Sequence, residues 1–166
     1  GTYTGNTETI TLSGTSGTLF TRTGTFTQGT TEVIVTSASG TPTLLSAGTT
    51  FHRLTINSAA TVINAGAAIT MSSANSANRL YIQDGVLNDG GNQITGTANG
   101  TLVMDSDTAL CIGGTTSSTS ATCDSGATQT TATTFPTNYT TGNITMAAGS
   151  ATSGWYNASW GYRTKI

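Results

Sequence analysis

The sequence predicts an all-β chain, and within that class a parallel β-solenoid (β-helix) of short strands. Three observations lead there. Thr supplies about a quarter of the 166 residues and Gly another 21. Thr is β-branched and fits a pleated surface, while Gly supplies turns. No window carries the 3.6-residue apolar stripe of an amphipathic helix. Between Thr50 and Gly114, apolar residues recur as short pairs or singles about seven to eleven residues apart: Leu54/Ile56, Val62, Ile69/Met71, Leu80/Ile82, Val86/Leu87, Ile94, Leu102/Met104 and Leu110/Ile112.

Taken in order, "TETITL" (Thr7–Leu12) alternates polar and apolar and reads as a strand. "TEVIVT" (Thr31–Thr36) is denser and reads as a strand buried on both faces. "TPTLL" (Thr41–Leu45) is a further short strand. From Thr50 onward, the clusters "NSAA", "NAGA", "SSANSAN", "DGVLNDGGN" and "GTANG" separate the apolar pairs. Asn, Asp, Gly and Ser tolerate left-handed backbone and bond their own main chain, so these clusters read as turns. About three strands would complete a coil of roughly 20 to 26 residues, with Leu54, Leu80 and Leu102 in equivalent places. A β-sandwich of jelly-roll type is the alternative, because it also spaces strands about 8–12 residues apart. Two-residue hairpin turns between long alternating strands are scarce, which favours the solenoid.

By composition, residues 1–114 form the solenoid core and 115–142 a Thr/Ser-rich segment with a disulfide loop. Residues 143–166 form C-terminal strands with a capping or assembly role, and the whole makes one structural unit. Cys111 and Cys123 would pair across the loop "CIGGTTSSTSATC". Closing it would contribute about 3 kcal/mol in the chain-entropy model. The first residue is Gly, with neither initiator Met nor signal peptide, which reads as a processed or cut chain.

The residues from Gly24 to Gly114 resemble repeats of large bacterial cell-surface proteins. The likeness rests on Thr50-Phe51-His52-Arg53-Leu54-Thr55-Ile56, close to a "TF-aromatic-x-LTI" strand, and on Gly85 to Ile94, close to a "GxLxxGGxxL" turn and strand. It implies a parallel β-helix of the filamentous-haemagglutinin adhesin type. His52 departs from the pattern by standing where an aromatic is usual, and the C-terminal third lies outside the likeness.

Charge excludes several functions. Only 7% of residues are charged, the net charge is −2, and no basic patch exists to neutralise phosphates, so no nucleic-acid partner is expected. No apolar run approaches the roughly 18 residues of a membrane span. One His and two Cys do not make a zinc ligand set, and no metal or other cofactor is expected. Asp105 and Asp107 share a strand face at i, i+2, but two carboxylates make a weak calcium site and read as an acidic turn. Asp84 and Asp89 read as turn residues. His52 has no acid or nucleophile nearby in sequence and reads as a surface or coil-edge residue. Trp155, Tyr156, Trp160 and Tyr162 form an aromatic group suited to a core cap, a subunit contact or sugar stacking. Asn99, Asn138, Asn143 and Asn157 stand in N-glycosylation sequons. Glu8, Thr9, Ile10, Thr11 and Leu12 form a strand that could add to the sheet edge of another copy.

The expectation is therefore an extracellular, non-enzymatic structural protein, a subunit or segment of a surface filament or adhesin. Its partners would be copies of itself and surface glycans. A carbohydrate-binding or carbohydrate-degrading β-helix, such as a tailspike or lyase segment, is the alternative.

Overall fold

The computed structural model describes residues 1–72, 79–90, 92–95, 101–105, 108–111 and 144–146. It is an all-β parallel solenoid. Fourteen strands are present among these residues, every pairing between them is parallel, and none of these residues is helical.

The chain visits three faces in each coil. The first coil contributes β1 (Thr2–Thr4), β2 (Thr9–Leu12) and β3 (Thr18–Phe20). The next contributes β4 (Thr25–Thr27), β5 (Glu32–Val35) and β6 (Thr43–Leu45). Then come β7 (Thr49–Phe51) and the long β8 (Arg53–Asn64), and β9 (Ile69–Met71) with the long β10 (Arg79–Asn88). The series continues with β11 (Ile94–Thr95), β12 (Thr101–Met104), β13 (Ala109–Cys111) and β14 (Ile144–Met146). Strands β7, β9 and β11 make one three-stranded sheet, with β1 and β4 paired at the start of the same face. Strands β2, β5, β8, β10, β12 and β14 run side by side as the spine of a nine-stranded sheet. Because β8 and β10 turn a corner, that sheet also takes in β3, β6 and β13 on the third face.

Register explains why short, dissimilar strands suffice. On the second face, Ile10, Val33, Leu54, Leu80 and Leu102 align, and beside them Leu12, Val35, Ile56, Ile82 and Met104. From Val33 and Val35 onward these side chains are buried. On the third face Ile63, Leu87 and Leu110 align and join the same core. Burying one such side chain is worth about 1.5–3 kcal/mol. Two or three inward residues per face therefore hold each coil to its neighbours. The first face adds an aromatic column. Tyr3 stacks on Phe26 at 5.4 Å, and Phe51 lies 6.2 Å from Phe26 and 6.4 Å from Phe20.

The coil repeat shows in the polar bonds as well. Thr55 Oγ1 donates to Glu32 Oε1, Ser58 Oγ to the Val35 carbonyl, and Asn64 Nδ2 to the Thr41 carbonyl, each across 23 residues. Asn88 Nδ2 donates to Asn64 Oδ1 and Tyr81 OH to Asp105 Oδ2, each across 24.

The structure corrects four expectations. "NSAA" does not interrupt a strand, since Asn57–Ala60 lies inside β8, and "DGVLN" is likewise inside β10. The corner is made by irregular pairing: the β10–β8 register shifts between Ile82 and Asp84 and again between Asp84 and Val86. Gly85 sits there at φ 82°, where an added Cβ would overlap the Ser58 and Thr61 carbonyls of the coil below. Asp84 and Asp89 are not equivalent turn residues. Asp84 is exposed on β10, whereas Asp89 is fully buried and its N–H donates to the Cys111 carbonyl. His52 does lie at a coil corner, between β7 and β8, but it is buried rather than on the surface. Finally, "TEVIVT" is buried on one face only, with Glu32 and Ile34 half-covered on the outside.

Candidate functional site

The second face concentrates ionisable groups on its outer side, because side chains alternate in and out along each strand. Between the inward residues, one outward row runs Thr9, Glu32, Arg53 and Arg79, and the next runs Thr11, Ile34, Thr55, Tyr81 and Val103. Arg79 Nη2 lies 3.2 Å from Glu32 Oε1, and Thr55 Oγ1 donates to the same oxygen at 2.8 Å. The Arg79 guanidinium carbon stands 5.0 Å from the centre of the Tyr81 ring. Tyr81 OH donates to Asp105 Oδ2 at 2.6 Å, and Thr108 Oγ1 donates to the Asp105 carbonyl.

The electrostatics follow from these contacts. Burial alone would raise the Glu32 carboxyl. The bonds from Thr55 and Arg79 and the charges of Arg79 and Arg53 outweigh it and hold the group below the usual carboxylate range. The Tyr81 phenol is pushed up, chiefly by its bond to Asp105, with burial and the Asp105 charge adding to it and Arg79 opposing. Buried His52 is held below the ordinary imidazole range by desolvation first and by the Arg53 charge second.

These contacts support strand stacking more directly than reaction chemistry. Glu32 on β5 and Asp105 just after β12 stand three rungs apart, and each carboxylate accepts from a neighbouring hydroxyl, Thr55 for Glu32 and Tyr81 for Asp105. Arg79 lies over the Tyr81 ring face that a sugar could otherwise stack on. Among the described residues, no group of three His, Cys, Asp or Glu side chains converges where a metal ion could bind.

A second feature is the open edge of the first coil. Strands β1, β2 and β3 each pair on one side only among the described residues. Tyr3, 39% exposed, is the large hydrophobic residue left most open there. It lines a hollow of about 350 Å³ with Ile10, Phe20, Arg22 and Phe26. The two charged side chains of this coil do not guard the edge. Glu8 accepts from the Asn6 N–H and from Thr31 Oγ1, and Arg22 donates to the carbonyls of Gly24 and Gly48. The Glu8 carboxylate is stabilised by its own and the Asn6 main-chain N–H, which lower its pKa.

The structure thus brings Thr9–Leu12 to a sheet edge, with Glu8 just before it, and places Asp105 beside Tyr81. Asp107, Cys123, Asn99, Asn138, Asn143, Asn157, Trp155, Tyr156, Trp160 and Tyr162 lie outside the described residues. Cys111 is fully buried at the end of β13, and no free cysteine occurs among the described residues. No helix among the described residues is long and apolar enough to cross a membrane. The contacts joining Glu32, Arg79, Tyr81 and Asp105 were missed in sequence because these residues are up to 73 positions apart. Only the coil register, unknown beforehand, aligns them.

Fold and site together define a class, the all-β parallel solenoid with Thr-rich strands. Beyond that class, we find no matching family model, no curated relative and no solved structure that resembles the chain.

Proposed function

We propose that this chain is an extracellular structural module, a subunit or segment of a surface filament or adhesin that joins copies of itself through strand or end-to-end contacts, and that it carries out no catalysis. The observation that supports this most is the first coil's open edge. Sheet edges in soluble proteins are usually blunted by Lys, Pro, bulges or inward charges. Strands β1–β3 hold neither Pro nor a charged residue, and the coil's two charged side chains are bonded within the coil or to the coils behind it. An exposed edge of this kind is a template for another strand. The inter-coil bonds of Glu32, Thr55, Arg79, Tyr81 and Asp105 fit the same reading, because they engage polar groups in stacking.

Three finer features belong to the proposal. A Cys111–Cys123 disulfide would tie the Thr/Ser-rich segment to the end of β13, which suits an oxidising extracellular setting. The sequons at Asn99, Asn138, Asn143 and Asn157 would carry glycans if the source glycosylates Asn. Surface glycans remain candidate adhesion targets. The deciding experiment is sedimentation velocity over a hundredfold concentration range, with negative-stain electron microscopy of the top sample. Elongated multimers are expected. A protein that stays monomeric throughout, in oxidised and reduced form alike, would defeat the assembly reading. Thiol titration before and after reduction tests the disulfide: two thiols should appear on reduction only.

A further inference from the structure

The nine-stranded sheet ends at β2 on one side and at β14 on the other. Among the described residues, strand β2 pairs only with β5, and β14 only with β12. Both edges are therefore open among the described residues. The two strands carry the same short pattern, Ile10-Thr11-Leu12 in β2 and Ile144-Thr145-Met146 in β14. They also occupy the same register columns. Ile10 heads the column Val33, Leu54, Leu80, Leu102, and Ile144 closes it; Leu12 heads Val35, Ile56, Ile82, Met104, and Met146 closes it.

We infer that copies of this chain join head to tail by pairing β14 of one copy with β2 of the next, parallel, with Ile144 opposite Ile10, Thr145 opposite Thr11 and Met146 opposite Leu12. The inference rests on the assembly reading above and specifies its contact. The occupant of the β2 edge is a second copy, because β14 carries Ile-Thr-Met in the register columns that Ile-Thr-Leu of β2 heads. Polarity agrees as well. All the strands of the sheet are parallel, so a second copy displaced along the solenoid axis meets β2 in the orientation in which β5 meets it from the other side. The contact is heterologous, and repeating it extends a fibre without closing a ring.

Among the described residues, the outer side of the β2 main chain has no strand partner. The Glu8 and Leu12 carbonyls accept from the Glu32 and Thr36 N–H groups. Polar groups of successive residues point to opposite sides of a strand, so the even-numbered residues serve β5 and Thr9 and Thr11 face the open edge. A β14–β2 pair would satisfy Thr9 and Thr11 without breaking a bond inside the subunit. The hollow beside Tyr3, Ile10, Phe20 and Phe26 would be closed by the incoming coil.

Two measurements test this on the full chain. The first is cysteine cross-linking. Residues paired across adjacent strands have Cα atoms about 4.8 Å apart, within the span of a disulfide. Thr11→Cys and Thr145→Cys proteins, mixed and oxidised, should give a covalent dimer that neither gives alone, and the double variant should give a ladder of multimers. The second is Thr11→Pro, which removes an edge N–H that β5 does not use. It should raise the concentration needed for assembly about five- to tenfold, the worth of one hydrogen bond, while circular dichroism stays unchanged. If the wild type assembles but the mixed cysteine variants fail to cross-link, this contact is wrong and the assembly reading survives. If the wild type itself never assembles, both fall together.

Discussion

Replacing Gly85 by alanine tests whether the coils are stacked as described. Gly85 lies at the corner of β10 with φ 82°, and a Cβ there would overlap the main-chain oxygens of Ser58 and Thr61 in the coil below. Left-handed backbone costs a non-glycine residue about 1–2 kcal/mol. Overpacking against carbonyls that cannot rotate away adds about 1–3 kcal/mol. The sum is about 2–5 kcal/mol. Gly90 provides the control. Its φ is 59°, but a Cβ there meets only Asn92 Nδ2 at 3.7 Å, so Gly90→Ala should carry the conformational cost alone. The assay is urea unfolding followed by circular dichroism. With a slope of about 2 kcal/mol per molar, Gly85→Ala should lower the midpoint by about 1–2.5 M and Gly90→Ala by about 0.5–1 M. Equal shifts for the two variants would refute the close inter-coil contact at Gly85, and with it the reading of that corner as the place where one coil rests on the next.

Three further outcomes are expected. Phe51→Ala removes a fully buried ring packed against both Phe20 and Phe26 and should cost about 3–5 kcal/mol in the same urea assay. Asn88→Ala deletes the bonds to Asn64 Oδ1 and from the Gly90 N–H in a buried site, for about 1–3 kcal/mol, and Asn88→Asp should not restore the bond donated to Asn64. Stability should also depend on pH through His52. Its folded pKa lies below the ordinary value of 6.5, so the unfolded chain binds the proton first as pH falls. The contribution is complete above pH 6.5 and declines below it. Glu8 and Glu32, held below 4.5, enter only in more acidic solution. Urea midpoints measured from pH 8 to 5.5 should fall for the wild type and stay level for His52→Gln.

How much was legible beforehand depends on the residue. Leu54, Leu80 and Leu102 declared the coil, because a buried column tolerates only large apolar side chains at a fixed interval. Strands β1, β3 and β4 escaped notice. Each is three residues long, and β1 and β4 are mostly Thr, so no alternation could develop. The corners were legible from their Asn, Ser and Gly, but a break in the strand was expected there. In β8 and β10 the chain bends through a bulge without losing its pairing, and small residues serve close approach between coils rather than chain reversal. His52 looked like a surface residue because it has no charged partner nearby in sequence except Arg53. Burial at a corner depends on the neighbouring coils, which local sequence does not report. The Glu32–Arg79 ion pair, 47 positions apart, was hidden for the same reason.

Apart from the Glu32–Arg79 pair, which skips a coil, the side-chain bonds between coils link residues about one repeat apart, so each coil is held mainly by its immediate neighbours. That has a mechanical consequence. Tension applied between the two ends runs along the axis, across the rungs, and opens them one row at a time rather than shearing the whole sheet together. A coil of about 23 residues, once peeled away, releases at most about 80 Å of chain. Drawn out in a force spectrometer, a single molecule should lengthen in steps of about that size less the original rung spacing. The material would yield gradually, one coil after another, instead of snapping.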